Sequence, residues 1–582
     1  ELLTRSSTNV IAPSSGSYPV VTRNNWQIRC LSAMDPANGS TGEAFIAVSP
    51  EGIEYRFDWM VSRQLPILTK SSWMPEALST SLSSGNESSL RIEPGEEPMI
   101  NADSNGLARA EVWILPTRIS DRFGNSVNYV YDTVNKWQLK TITANDGSGT
   151  PRTITFSYIA PGSIDSNLVR SISDGTRTWT YRYGGTNGRG PLQSVTLPDN
   201  SAWQLEGLSS LTNGIQYLGD GDCDQPGMVN DFPLSATATH PSGAIGEFLL
   251  KPVRHGRVGV PNSCIHYVDL NVYRANYPKE FDTFSLAKKV ITGPGLPRME
   301  WSTSFSAPVS GWAPWNGQQG TKQVDVTNPD GHITRHTFGT AYLENEGQLQ
   351  SVENIDRSVG ELRTTLTRYA QPIPPRGKSE QKRGDGEMAA RVYEVDRREI
   401  SQQGTSFLWT ADSFNDFAQP TQVTKSSSQG TSRTERLTYD NNTSAWVLGQ
   451  LATLTNTNTN TQVLENAYDS AANLASVKRF TLPEKSFTYH ADGNILTEKD
   501  GLEQETKYTN YRRGVPQNIT FADGKTTSAV VNNLGGLDSV TDPTGATTSF
   551  GYDAMGRFAS ISYPSGDPVN WKPTTLSFEK IS

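Results

Sequence analysis

The sequence predicts an all-β protein made of stacked β-hairpins, and three features predict it. A tyrosine-anchored unit of roughly twenty residues recurs through the last hundred or so positions, its turns carry Pro, Gly and Asp where tight turns need them, and helical periodicity is weak almost everywhere. The clearest copy reads DSVTDPTGATTSFGYDAMGRFASISYPSG, from Asp538 to Gly566, and the marker tyrosines fall at Tyr468, Tyr489, Tyr508 and Tyr552. Those markers are 21, 19 and 44 residues apart, the last step being two units of 22 with Val531 near the absent tyrosine. A unit this short cannot bury an apolar face alone, so it must stack on its neighbours.

Each element of the copy has a chemical reason. In Asp542-Pro543-Thr544-Gly545, Pro presets φ at the second turn position and Gly accepts positive φ, which makes a hairpin turn. Ala546 to Tyr552 is rich in Thr and aromatic residues and alternates, as a strand with one wetter face does. Asp553 to Arg557 supplies a second turn, and Phe558 to Tyr563 the returning strand. The same grammar runs from Tyr489 to Tyr508 and from Ile519 to Val540, where Asp492-Gly493 and Asp523-Gly524 are strong hairpin signals.

These residues carry a family resemblance. YDAMGRFASI, together with YDSAANLASV from Tyr468 to Val477, resembles the YD repeat of RHS (rearrangement hot spot) proteins: Tyr-Asp, two or three residues, Gly-Arg-Leu, then a short strand. The resemblance is specific from about Tyr439 to Gly566. It is looser in RISDRFGNSVNYVYD (Arg118 to Asp132), SISDGTRTWTYRY (Ser171 to Tyr183) and VTNPDGHITRHTF (Val326 to Phe338). Asn473-Leu474 lacks the Gly-Arg, and irregular spacing between about 185 and 325 leaves room for insertions or a distinct subdomain.

The resemblance implies a β-strip that curves into a hollow shell, as in insecticidal toxin complexes, bacterial polymorphic toxins and animal teneurins. In the toxin members such a shell encloses a C-terminal effector polypeptide. On that footing the chain is expected to be a non-enzymatic shell segment that encloses, protects or presents a polypeptide cargo, secreted or at the cell surface. Its partners would be the remainder of its own chain or a second RHS chain closing the shell, and the enclosed effector. The alternative is a teneurin-like adhesion or recognition module, with Trp312 and Trp315 contacting glycans or a partner protein. A cryptic hydrolase ranks last, and no cofactor is expected.

Composition agrees with a two-sided wall. The hydrophobic set is 35% of residues; adding Gly (50 of 582) and removing Tyr (21 of 582) gives about 40%, below the roughly 45 to 50% usual in compact domains. Thirteen Trp, 19 Phe and 21 Tyr argue for ordered packing over disorder. A net charge of −9 argues against nucleic-acid binding, and KSEQKR at Lys378 to Arg383 reads as a solvated loop. No apolar run approaches 18 residues, so no membrane span is expected. The opening ELLTRSSTNV does not read as a signal peptide, and a start at Glu1 reads as a fragment or processed product.

Four stretches are expected along the chain. Residues 1–110 form a β segment preceding the repeats, in which Phe45 to Phe57 is a hairpin and Ser79 to Asn105 a loop. A first repeat region spans 111–211, an irregular β region with insertions 212–437, and the clear repeats 438–582. Gln371 to Glu387 reads as an exposed loop.

Candidate sites are few. His332 and His336 stand four apart, but without the Glu of a zinc helix, and PDGHITRHTF reads as turn then strand, where such residues lie about 13 Å apart. Asp220, Asp222 and Asp224 alternate as calcium-loop ligands do, yet Gln225 stands where glycine is needed and Asp231 replaces the usual Glu, so a polar turn is the simpler reading. Cys30, Cys223 and Cys264 are too few for a disulfide framework, although Cys223 and Cys264 are free to pair. Asp542-Pro543-Thr544-Gly545 is similar to a motif near the self-cleavage site of polymorphic toxins, but here it sits inside an ordinary repeat and reads as a turn. No catalytic, cofactor-binding or metal-ligating residue is assigned.

Overall fold

The computed structural model describes residues 2–4, 20–22, 24–73, 100–145, 151–159, 167–185, 190–209, 211, 214–218, 227–261, 278–317, 320–342, 344–370, 394–565 and 571–578. Among them there is one 3-10 turn, Pro36–Asn38, and no α-helix. Thirty-seven strands form one sheet in which each strand pairs antiparallel with the next in sequence, from Leu2–Thr4 to Thr574–Thr575. Two short strands stand outside it: Val258–Val260 and Gly311–Trp312 pair with each other in parallel. The irregular middle of the sequence therefore continues the same sheet, through Leu234–Thr239, Ile245–Gly256, Glu280–Gly293 and Leu296–Phe305. The strand Ile100–Ser120 takes in the end of the stretch that composition assigns to a loop, because it extends the ladder with Glu54–Trp73. Residues 74–99 and 371–393, holding the other expected loops, lie outside the described residues.

The sheet is thin. Among the described residues 21 hydrophobic side chains are buried, too few for a globular core, and two small clusters gather seven of them. Strands such as Val515–Thr520 are half-buried at every position, and Thr178–Tyr183 alternates exposed with half-buried. Residues rich in Thr and Ser suit such a wall, since both faces keep partial contact with water.

The turns are nearly identical. The Asp542 amide donates to Ala546 O at 2.9 Å and the Gly545 amide to Asp542 O at 3.0 Å, with Gly545 at φ +90°. His490–Asn494, Phe521–Lys525 and Asp553–Arg557 repeat this pair of bonds. Asp-Gly here is therefore not the centre of a two-residue turn; the glycine is the left-handed residue that follows a type I turn. In YDSAAN, Ala472 takes that conformation at φ +63°. The Asp469 carboxylate holds it there by accepting from the Ala471 and Asn473 amides at 2.9 and 2.8 Å, so this copy folds without Gly-Arg.

The marker tyrosines have one shared task. Nine hydroxyls, those of Tyr131, Tyr158, Tyr183, Tyr369, Tyr439, Tyr468, Tyr489, Tyr511 and Tyr552, donate to a main-chain carbonyl at 2.7 to 3.1 Å. For five of them, Tyr158, Tyr183, Tyr468, Tyr489 and Tyr511, the accepting residue is the one paired with the previous tyrosine; for Tyr131, Tyr369 and Tyr439 it is paired with Phe57, Phe338 and Phe414, and for Tyr552 with Val531. Tyr489 bonds Leu474 O, and Leu474 pairs with Tyr468; Tyr511 bonds Ile495 O, and Ile495 pairs with Tyr489. Those pairs sit at register shifts, where a bulge interrupts the ladder and frees a carbonyl. The hydroxyl satisfies it.

This ladder corrects one marker. Tyr511, not Tyr508, belongs to the series, since Tyr508 Oη reaches only the Glu498 carboxylate at 3.4 Å. With Tyr511, the markers Tyr468, Tyr489, Tyr511, Val531 and Tyr552 step by 21, 22, 20 and 21. Val531 fills the tyrosine position, fully buried, and its amide is met by Gln517 Oε1 at 3.3 Å.

Replacing Tyr489 or Tyr511 by Phe orphans a carbonyl, so each change is expected to lower unfolding free energy by about 1 kcal/mol. Tyr508→Phe should stay within about 0.5 kcal/mol; denaturant melts of the three variants check the difference. Burial also raises the pKa of Tyr158, Tyr183, Tyr439, Tyr468, Tyr489 and Tyr511. An unfolded tyrosine ionises near pH 10 and these ionise later, so the ladder's contribution is complete below about pH 10 and lost as pH rises beyond it. Tyrosinate absorbance should therefore rise together with loss of the strand circular-dichroism signal.

Candidate functional site

In a meandering sheet the turns fall alternately on two edges, and the marker tyrosines end strands on only one of them. That tyrosine edge in the C-terminal part of the strip meets the opposite edge of the N-terminal part. Asn25, in the turn after Val20–Thr22, donates from Nδ2 to Phe417 O at 3.1 Å, and the Trp446 indole donates to Asn25 O at 2.7 Å. Glu51 bridges Val447, and the Leu448 amide donates to Pro50 O at 2.8 Å. Further along, Arg122 lies on the 469–473 turn, Asn125 on Asp492, Arg177 on Met555 and Asp199 on Arg557. The partners are separated by 349 to 421 residues in sequence, so the strip coils and one winding lies on the next. This seam is the site from which function must be read.

Its chemistry is arginine on main-chain carbonyls. Arg122 sends Nε to Ala471 O at 2.5 Å and Nη2 to Asn473 Oδ1 at 3.0 Å, with its guanidinium 4.4 Å above the Phe123 ring. Phe123 in turn lies on Gly493, where a Cβ would stand 2.5 Å from the ring; the positive φ of the turn and this contact both demand glycine. Arg177 donates to Met555 O at 2.8 Å while two nitrogens grip Asp174 Oδ2 at 2.9 and 2.7 Å. Burial pushes the Asp174 carboxyl up, but the backbone amide and guanidinium of Arg177 outweigh it and its pKa is lowered. Arg557 joins the windings by meeting Asp199 at 3.3 Å and its own turn's Asp553 at 2.6 Å.

At the N-terminal end the seam is apolar. Trp446 is 2% exposed and packs with Val21, Ile46 and Val48, flanked by Leu31, Phe417 and Leu448. Its backbone is left-handed at φ +53°, costly for a bulky residue, and the packing together with the indole hydrogen bond holds it there.

A cleft of about 680 Å³ opens on the seam between residues 176–180 and 196–200 on one side and 532–536 and 552–556 on the other. Its titratable lining side chains, Arg177, Tyr552 and Asp553, are each engaged, with Asp174, Leu537 O and Arg557.

The residues singled out from sequence fall apart. His332 ends its turn and meets Asp356 Oδ2 through Nε2 at 2.9 Å, while His336 lies on the following strand stacked on Phe338. Among the described residues no three His, Cys, Asp or Glu converge on one point. Asp220, Asp222, Asp224, Cys223 and Cys264 lie outside the described residues; Cys30 is exposed. Asp542 to Gly545 forms the expected turn. Trp312 and Trp315 are not the exposed aromatics that a recognition surface needs. Both are half-buried, Trp312 with Lys279 Nζ 5.4 Å from its ring and Trp315 folded over Gly311 and Gly317.

Two hydroxyl–histidine pairs escape sequence reading. His240 Nδ1 lies 2.8 Å from Ser242 Oγ and accepts from the Ser242 amide, which puts it in the capping role that Asp plays in other turns. His255 Nε2 lies 2.9 Å from Thr283 Oγ1, on neighbouring strands. Burial and then Lys322 lower the His255 pKa, which favours the neutral ring. No helix among the described residues is long and apolar enough to cross a membrane.

Residues 539–568 match the RHS Repeat family. No curated protein matches the chain in sequence. Solved structures similar to it include the crystal structure of TcdB2-TccC3 (10% identity, 92% of this chain, 35% of that one, TM-score 0.24). Others are the Photorhabdus luminescens Tc holotoxin pore (10%, 96%, 40%, 0.22) and TcdB2-TccC3 without its hypervariable C-terminal region (10%, 96%, 40%, 0.22). The chain spans about a third of the length of the solved chains it matches. The matched residues carry an RHS repeat, and the tyrosine ladder runs through the matched turn.

Arg122→Ala removes three seam contacts and no strand ladder. Hydrogen exchange should quicken in 121–125 and 469–473 while the strands that flank them keep their protection. Arg122→Lys should not restore protection, since an ammonium cannot span two acceptors as the guanidinium fork does. Unchanged exchange in the 469–473 turn of Arg122→Ala would mean that the seam does not depend on this residue.

Proposed function

We propose that this RHS-repeat protein is a non-enzymatic wall segment, whose coiled strip encloses, protects or presents a polypeptide cargo. The observation that carries the reading is the seam: a single-layer sheet half-wetted on both faces gains little as a free ribbon, whereas windings joined edge to edge make a continuous barrier. The RHS repeat at 539–568 supports the same role. Its mechanism is physical. Backbone ladders close the wall, tyrosine hydroxyls close the bulges, and arginines bolt one winding to the next. The cargo is a polypeptide such as a C-terminal effector, the remainder of the wall comes from the same polypeptide or a second RHS chain, and the place of action is outside the producing cell or on its surface.

Solution scattering tests the wall. A compact 582-residue protein would have a radius of gyration of about 25 Å; a coiled wall should exceed that clearly, and a value near it would overturn the reading. Limited proteolysis should leave Tyr468 to Tyr552 intact. Early cleavage between those tyrosines would count equally against it.

A further inference from the structure

The cleft on the seam opens where the tyrosine ladder breaks. The turns 490–494 and 553–557 are met across the seam, by Asn125 and Arg177. The 532–536 turn, which follows Val531, is instead held by its own winding, through Arg512 and Arg513 on Asn533. Among the described residues it makes no hydrogen bond across the seam, and space is left in front of it. At about 680 Å³ that space falls within the roughly 300 to 1,000 Å³ of small-ligand sites.

The two walls of the cleft differ. On the C-terminal side the polar side chains are committed to their own hairpins. Asn532 Oδ1 accepts from the Leu534 and Gly536 amides at 3.0 and 2.9 Å, Asp553 Oδ1 from the Met555 and Arg557 amides at 2.9 and 2.8 Å, and the Tyr552 hydroxyl donates to Leu537 O. What this wall presents is apolar: Leu534, Ala554 and the exposed Tyr552 ring. On the N-terminal side Thr180 and Thr196 stand opposite one another on paired strands, with Thr176 and Asn200 in the flanking turns. These four side chains meet no hydrogen-bond partner among the described residues. The charges are matched in pairs, Arg177 with Asp174 and Arg557 with Asp553, so the cleft has no surplus charge for an ion.

We propose that this cleft binds a neutral oligosaccharide, laid across the seam with its hydroxyls on Thr176, Thr180, Thr196 and Asn200 and a C–H face on the Tyr552 ring. A sugar hydroxyl both donates and accepts, as a threonine hydroxyl and an asparagine amide do. An apolar ligand would leave those four groups unpaired, and a charged one would give up its hydration without a counter-charge. Each winding supplies one wall, so the bound sugar braces the seam. The site is separate from containment and stands whether or not a cargo is enclosed.

Calorimetry and saturation-transfer NMR with cellotriose, maltotriose and chitotriose as probes test it. At least one should bind saturably with a Kd below about 10 mM. Thr180→Val/Thr196→Val keeps the side-chain shape and removes two hydroxyls, and should weaken that binding about tenfold. Ala554→Trp, at an exposed turn position, should fill the cleft and abolish it. Thr143→Val/Thr153→Val alters a similar pair on paired strands outside the cleft and should leave binding unchanged. The bound probe should also slow hydrogen exchange in the 174–177 and 553–557 turns. Absence of binding by all three probes, binding of trigalacturonate alone, or a Thr180→Val/Thr196→Val variant that binds as wild type does would overturn the proposal. Radius of gyration and protease resistance are read on the unliganded protein, so failure of this site and failure of the wall reading are distinguishable.

Discussion

The hydrogen bond from a marker tyrosine to the carbonyl opposite the previous marker is the constraint on which the strip depends. The hairpins closed by Tyr468, Tyr489 and Tyr552 end in a bulge, and a bulge frees a carbonyl at the edge of the sheet. A thin sheet has no core in which to hide that group, and solvent alone would leave the strand end loose. The tyrosine ring spans the gap, covers the bulge with its face and satisfies the carbonyl with its hydroxyl. Because each rung refers to the one before, register passes from hairpin to hairpin, as Tyr468, Tyr489 and Tyr511 do through Leu451, Leu474 and Ile495. Where the series breaks at Val531, burial and the Gln517 side chain stand in.

Regular rungs make regular turns, and regular turns make an edge that another edge can read. Asp or Asn at the first turn position folds its own loop by accepting main-chain amides, as Asp469 and Asn415 do. That leaves the turn's carbonyls pointing outward. Arg122 and Arg177 bind those carbonyls, each oriented by a neighbour, Phe123 beneath one and Asp174 beside the other. The seam therefore needs no large apolar interface except at Trp446, where the strip starts its second pass.

Much of this was legible in the chain itself. Asp542-Pro543-Thr544-Gly545 announced its turn, and alternating Thr and aromatics announced Thr547–Tyr552. Tyr508 misled, because spacing alone cannot separate two tyrosines three residues apart; only the carbonyl that Tyr511 reaches identifies the marker. Trp312 and Trp315 misled for a similar reason. Two tryptophans in a glycine-rich stretch suggest an open surface, whereas the glycines are there to let Trp315 fold onto the backbone. The arginines of the seam gave no sequence signal, since Arg122 and Arg177 look like ordinary turn residues beside Asp121 and Asp174.

What the sequence by itself determined is local: strand, turn, strand, at a period near twenty-one, with tyrosine at the bulge. Alternation, turn chemistry and the tyrosine hydroxyl all act within one or two hairpins, and neighbouring residues are enough to specify them. What only the tertiary structure decided is the meeting of turns some 350 to 420 residues apart. That contact depends on curvature summed over more than twenty strands, and small twists at each bulge accumulate into a return that no short window of sequence contains.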